Sequence, residues 1–212
     1  MLKEKDFIEV DYVARIKDDE IFDLTEEDVA RENKIYNKDY RYKPVIICIG
    51  KGDIIKGLDN KLIGRELGKH RIELTPEEGF GKKDAKLIKL VPTKEFTKQN
   101  VNPMPGMRLN LDGFMGKIIS VTGGRTLVDF NNPLAGKDLV YEIEIKRRIT
   151  DKKEQLQGFL DILFKDAKAE IKDDEATIEI KNINEEMKEE LEKEIMDRIK
   201  IKKVNFKINN QK

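Results

Sequence analysis

Val45-Ile46-Ile47-Cys48-Ile49-Gly50-Lys51-Gly52-Asp53-Ile54-Ile55-Lys56-Gly57-Leu58 is the stretch on which the fold of this chain turns. Five residues dominated by β-branched side chains stop at Gly50, with Gly52 two positions later, which predicts a core strand closing in a tight turn. Leu58, Leu62 and Ile63 then share one helical face, and Gly64 and Gly68 stand near its end, so Leu58 to Leu67 is expected to be one short helix. The spaced glycines invite a phosphate-loop reading. It fails, because neither G-x-x-x-x-G-K-[ST] nor a strand followed by G-x-G-x-x-G at the right spacing is present.

Working outward, Phe7, Ile8, Val10, Tyr12, Ala14 and Ile16 alternate with polar residues, as in a half-buried strand, and Asp18-Asp19 makes a turn before Ile21-Phe22. Thr25 to Arg31 is acidic and helix-capable, with Thr25 and Asp28 together forming a local cap, and is expected to be an exposed excursion. Arg71 to Leu74 alternates as a strand. Between Lys82 and Phe130 the character changes to short strands, Arg108 to Leu111, Lys117 to Val121 and Thr126 to Phe130, with hairpin signals at Asp112-Gly113 and Gly123-Gly124 and a helical turn near Pro92 to Phe96. Leu139 to Ile145 alternates over seven residues and reads as a return to the main sheet. A small all-β unit therefore interrupts another domain.

From Asp151 onward the period is helical. Leu156, Phe159, Leu160, Leu163 and Phe164 form one stripe; Ala167 to Ile171 and Thr177 to Ile180 flank a hairpin; Met187, Leu191, Ile195 and Ile199 mark a second helix; Val204, Phe206 and Ile208 alternate as a last strand. This is an α-β-β-α-β module, and the whole chain is α+β. A module of this size buries only about 60% of its unfolded surface and needs a partner surface. Symmetric pairing is the commonest solution, so a homodimer through residues 151–212 is expected, with truncation after Thr150 leaving an active monomer. Docking on the rest of the chain and a second client surface are the alternatives.

The 212 residues carry 42 basic and 42 acidic side chains, so no net field draws the chain to nucleic acid or an anionic membrane. One cysteine, Cys48, rules out an internal disulfide, and one histidine, His70, removes Cys/His zinc frameworks and most Ser-His or Cys-His nucleophile machinery. With no apolar leader at Met1–Asp6 and no long uncharged run, a cytoplasmic, soluble protein without membrane partners is expected. Asp23, Asp53, Asp59, Glu77 and Glu78 match no calcium-loop spacing and read by default as surface carboxylates. Cys48 reads as a small buried hydrophobe and His70 as a surface residue; neither is offered as catalytic.

Taken as an ordered set, Tyr12, Phe22-Asp23, Gly50-x4-Ile55-x-Gly57-Leu58, Gly64-Arg65-Glu66-Leu67-Gly68, Thr75-Pro76-Glu77-Glu78-Gly79-Phe80-Gly81 and Tyr141 resemble the FKBP-type peptidyl-prolyl isomerases over about residues 3 to 150. The insertion after Phe80-Gly81 and the return through Asn131-Asn132-Pro133-Leu134-Ala135-Gly136-Lys137 resemble the SlyD-like branch with its insert-in-flap domain. The tail beyond 151 and the acidic loop after Asp23 resemble its long archaeal members. The resemblance implies an antiparallel sheet wrapped on a short helix. It divides the chain into an isomerase domain (1–82 with 131–150), an inserted domain that binds unfolded polypeptide (83–130) and a C-terminal accessory domain (151–212).

It also implies a pocket lined by Tyr12, Phe22, Ile54, Ile55, Leu58, Phe80 and Tyr141, with Asp23 the polar group near the substrate carbonyl and Leu134-Ala135 closing the rim. Leu58 stands where many relatives carry Trp, and Asn132 where SlyD-like chains usually carry His. Read without the pattern, Phe22, Ile54 and Leu58 are core residues of any sheet domain, and Asp23 is equally a turn or capping residue. Met104, Met107, Phe114 and Met115 in the insert suit variable clients, or else fill the insert's own core. The expected activity is cis-trans isomerisation of X-Pro bonds with chaperone activity in protein folding, needing no metal or other cofactor. A non-catalytic polypeptide-binding module is the rival from another class.

Overall fold

Apolar alternation gives β1 (Phe7–Ile16), a turn with Asp18 at positive φ, and β2 (Ile21–Leu24). After α1 (Glu27–Glu32) come β3 (Val45–Cys48), α2 (Lys56–Leu62) and β4 (Gly68–Leu74). A 3-10 turn at Ala85–Leu87 leads into β5 (Ile88–Pro92), α3 (Thr93–Thr97), β6 (Arg108–Leu111), β7 (Phe114–Thr122) and β8 (Arg125–Asp129). Then follow β9 (Leu139–Ile149), α4 (Lys152–Leu163), β10 (Lys168–Lys172), β11 (Glu175–Ile180), α5 (Glu185–Ile199) and β12 (Lys203–Ile208). The computed structural model describes residues 1–111 and 113–208, so Asp112 of the Asp112-Gly113 hairpin signal lies outside the described residues. The result is a mixed fold of two antiparallel sheets, a three-stranded mixed sheet and five α-helices among those residues.

Two compact units divide the chain, one built from residues 1–74 and the chain from Leu139 onward, the other from Thr75–Asp138. In the first, the sheet order is β2-β1-β9-β4, with β3 pairing the other half of the β1 edge. β1 runs antiparallel to β9 from Phe7↔Ile149 to Ile16↔Leu139, with a bulge between Glu9 and Val10. The expectation of a half-buried β1 is corrected here. Phe7, Ile8, Val10, Val13, Ala14 and Ile16 are all buried, because a central strand with apolar groups packed on both faces no longer needs a polar one.

The short helix after the 50s turn ends at Leu62, not Leu67, since Gly64 takes a positive φ and Ile63 leaves the helical region. The cap expected from Thr25 with Asp28 is absent: the residue before α1 is Glu26, with no capping side-chain bond, while the Thr25 hydroxyl accepts the Tyr12 N–H at 2.9 Å and donates to Asp11 at 2.7 Å. The excursion is also less exposed than expected. Ala30 is buried against Val13 and Leu24.

The C-terminal module forms as α4-β10-β11-α5-β12, with β10 antiparallel and β12 parallel to β11. Asp151 and Asn184 cap the two helices by accepting the Glu154 and Met187 N–H groups at 2.8 and 2.7 Å. Its partner surface lies in the same chain. Leu156, Phe159, Leu160, Ile178, Leu191 and Ile195 share one core with Phe7, Cys48 and Ile149, and α4 lies along β3. Leu163 and Met187, which the stripes assign to the buried face, are exposed instead. His70, expected at the surface, is half-buried on β4, where its Nε2 lies 2.8 Å from the Glu66 carbonyl.

The second unit is a sheet of order β5-β8-β7-β6 closed over Phe96, Ile118 and Val128. Gly123 and Gly124 both hold positive φ in the β7–β8 turn, the geometry of a type I′ hairpin. β5 is an addition to the strands legible in the sequence. Its exposed Leu90 breaks the alternation, and Pro92 at its end is tolerated because β5 is an edge strand.

Candidate functional site

Three neighbouring strands gather the aromatic residues singled out above. Tyr12 on β1 and Tyr141 on β9 have ring centroids 6.0 Å apart, and Phe22 on β2 meets Tyr141 edge-on at 6.0 Å. Such tilted and edge-to-face pairs suit the ring quadrupoles. Asp23, the next residue on β2, accepts the Tyr12 hydroxyl on Oδ2 at 2.8 Å.

Its other oxygen takes a partner that sequence reasoning missed. The Tyr40 hydroxyl donates to Asp23 Oδ1 at 2.8 Å. Tyr40 packs at 4.9 Å on Tyr42, which stacks on Tyr36 at 5.5 Å, and the Arg31 guanidinium lies 3.8 Å over Tyr36. A signal was present in the sequence: three tyrosines within seven residues, in a segment with no helical or strand period to explain them.

Burial pushes the phenols of Tyr12, Tyr40 and Tyr141 well above their ordinary value, and the Asp23 carboxylate adds to this in each case. All three remain protonated donors over the physiological range. No hydrogen bond engages the Tyr141 hydroxyl among the described residues, although the rest of the residue is buried; the donor is available to a ligand.

The 50s turn and α2 carry the aliphatic members. Ile54 and Ile55 are half-buried and Leu58 is fully buried on α2. Gly50 and Gly52 adopt positive φ, and a Cβ on Gly50 would lie 2.7 Å from Glu4 Cγ, so this turn requires glycine. In the second unit Phe80 is 37% exposed, Leu134 half-buried and Ala135 buried. The Gly136 N–H donates to the Gly81 carbonyl at 2.7 Å, which brings those two segments together. Asn132 accepts the Leu134 N–H on its side chain at 2.8 Å and the Ala135 N–H on its carbonyl at 2.9 Å. Of the insert's candidate residues, Met104, Phe114 and Met115 are exposed, Phe114 at 70%, and Met107 is half-buried. The insert's core is made by other side chains.

The acidic residues considered as metal ligands are each engaged. Asp23 holds the two tyrosines, Asp53 the Arg198 guanidinium, Asp59 the Gly50 and Gly52 N–H groups, Glu77 the Lys82 ammonium and Glu78 the Thr75 N–H. Among the described residues no group of three or more His, Cys, Asp or Glu side chains is arranged to hold a metal ion. Cys48 is buried, and desolvation pushes its thiol up to about 12, so it stays protonated and unreactive in the folded chain.

An aromatic cluster with protonated hydroxyls and no nucleophile suits a reaction driven by binding and desolvation. Comparison with known proteins gives the class. A family model described as the FKBP26 IF domain matches residues 89–134. The short-type peptidyl-prolyl cis-trans isomerase of Methanocaldococcus jannaschii is 35% identical over 147 residues, covering 69% of this chain and 93% of that protein. The FKBP-type 16 kDa peptidyl-prolyl cis-trans isomerase of Escherichia coli K12 is 31% identical over 108 residues, 49% of this chain and 72% of that protein; SlyD of Haemophilus influenzae is 31% identical over 109 residues, 49% and 56%. The chain belongs to the FKBP-type peptidyl-prolyl cis-trans isomerases, an enzyme family.

Proposed function

We propose that this protein isomerises X-Pro bonds in unfolded polypeptides and that its inserted unit holds those chains during folding. The observation that carries the reading is the Tyr12–Phe22–Tyr141 cluster around Asp23, with a Tyr141 hydroxyl left open to a ligand. The X-Pro barrier is about 20 kcal/mol because amide resonance must be broken. As the bond twists, charge separation on the amide falls, so an apolar lining favours the twisted form over the planar one. In this reading Tyr12, Phe22, Ile54, Ile55, Leu58 and Tyr141 of the first unit supply that lining, while Phe80, Leu134 and Ala135 belong to the second unit. Asp23, bound by two hydroxyls, orients Tyr12 and sets the polarity near the substrate carbonyl.

The division of labour runs 1–82 with 131–150 for isomerisation, 83–130 for client binding and 151–212 as an accessory domain. Exposure of Met104, Phe114 and Met115 supports the client-binding role, because flexible and aromatic side chains not used by a core are free to adapt to varied partners. No helix among the described residues is long and apolar enough to cross a membrane, and the reading places the protein in the cytoplasm. The stripes that suggested a homodimer are largely taken up within the chain, so a second copy is left with the exposed edges of the β10-β11-β12 sheet.

The test compares the full chain with a variant whose insert is replaced by a short loop, assaying a proline tetrapeptide and a proline-limited refolding protein. The reading expects both reactions accelerated by the full chain, and refolding lost preferentially in the variant. A folded full chain with rates equal to buffer leaves the non-catalytic binding module instead.

A further inference from the structure

The turn that delivers Ile54 and Ile55 is held from two sides. From within its own domain, Asp59 on α2 accepts the Gly50 and Gly52 N–H groups at 2.8 and 3.1 Å. From the C-terminal domain, Arg198 on α5 donates to Asp53 Oδ1 at 2.6 Å and to the Lys51 carbonyl at 3.3 Å. Asp53 Oδ2 in turn accepts the Cys48 N–H at 2.7 Å, closing the turn back onto the end of β3. The Arg198 and Asp53 side chains are only 7% and 6% exposed. Arg198 is itself fixed, with its guanidinium 4.3 Å over the Phe159 ring and its Nε 2.8 Å from Glu194. Asp197, the preceding residue, pairs with Lys5 and Lys51.

An ion pair this buried is a poor source of stability, since desolvation cancels most of its attraction, and the shared apolar core already docks the C-terminal domain. What it adds is geometry. Asp53 is bonded to Ile54, and the Ile55 carbonyl accepts the Leu58 and Asp59 N–H groups that begin α2, so a displacement at Asp53 is transmitted to both isoleucines. Without the guanidinium, Asp53 is a buried charge with no counterion, and the turn opens to hydrate it.

We infer that Arg198 is a positioning residue for the isomerase site, through which the C-terminal domain sets the backbone of Ile54 and Ile55. This rests on the proposed place of those two residues in the substrate pocket. Misplacement of binding groups by about 1 Å can cost as much as 100-fold in rate, and a turn anchored also by Asp59 loses part of that.

The test uses the full-length chain with 13C-labelled isoleucine δ1 methyls, a proline tetrapeptide and Arg198→Met. In the wild-type chain, peptide-induced shifts at the Ile54 and Ile55 methyls check the pocket reading; their absence removes that reading whatever the variant does. In Arg198→Met the same two methyls should move without peptide, and kcat/KM should fall about tenfold, with Arg198→Lys recovering part of the loss. Methyls that stay in place, or that move with kcat/KM within twofold of wild type, overturn the inference. Should Arg198→Met fail to fold, Asp53→Asn keeps one acceptor oxygen, for the Cys48 N–H, and loses both the charge and the oxygen that receives Arg198; it is read by the same two criteria with a threefold loss as the threshold.

Discussion

Gly158 lies on the face of α4 that meets β3, and its replacement by alanine sets two opposed effects against each other. A Cβ built there would stand 2.5 Å from Ile46 Cβ, 2.7 Å from Cγ2 and 3.1 Å from Cδ1. Removing glycine from a helix interior gains about 1 kcal/mol. Forcing a methyl into an occupied space costs about 1–3 kcal/mol, and here the upper part of that range applies, because Ile46 meets it with the root of its side chain rather than a movable tip. The net expectation for Gly158→Ala is a destabilisation of about 1–2 kcal/mol, lowering the thermal midpoint by roughly 2–8 °C for a chain of this size. Urea unfolding followed by circular dichroism measures it. Repeating the substitution in an Ile46→Gly background, where all three contacts vanish, should bring the cost below about 1 kcal/mol. A Gly158→Ala protein more stable than wild type would refute the reasoning, since it would mean that α4 and β3 are not in the close contact described.

At the site, Tyr141→Ala should lower kcat/KM on proline peptides more than tenfold, whereas Tyr40→Phe, which removes one of two hydroxyl bonds to Asp23 and keeps the ring, should cost two- to fivefold; equal activities for wild type and Tyr141→Ala would dislodge the cluster from the mechanism. For pH, the Lys5 and Lys51 ammonium groups hold the Asp197 carboxyl at about 2, below its ordinary 3.8. Its folded value being the lower one, its contribution to stability is present above about pH 4 and is lost as the pH falls toward 2. Asp197→Asn should flatten the acid limb of the stability profile in that window, and an unchanged limb counts against the pairing.

The elements with strong local periods were legible from the chain itself. The alternation of β9, the glycine-closed 50s turn and the stripe of Leu156, Phe159 and Leu160 each specify a local structure and a buried face. Other features depend on distant residues. β1 reads as half-buried, and only the strands and helices that later cover it explain why both faces are apolar. Tyr40 finds Asp23 seventeen positions away, and Arg198 finds Asp53 at a separation of 145, so on α5 it reads as one more solvated charge. Thr25 looks like a helix cap because hydroxyls favour that position, yet Tyr12 and Asp11 claim it first. The proposed pocket lining was recognisable only as an ordered pattern, since each aliphatic member taken singly reads as a core residue.

The pairing of β1 with β9 also bears on how the protein is made. Phe7 emerges from the ribosome first but cannot find Ile149 until some 140 further residues have followed, whereas the strands from β5 to β8 complete their sheet within Ile88–Asp129. Loop-closure entropy and contact order both favour the nearer partners, so during vectorial synthesis the inserted unit can finish folding while the nascent host sheet is still open. On that schedule the exposed Met104, Phe114 and Met115 surface exists before the host sheet has closed.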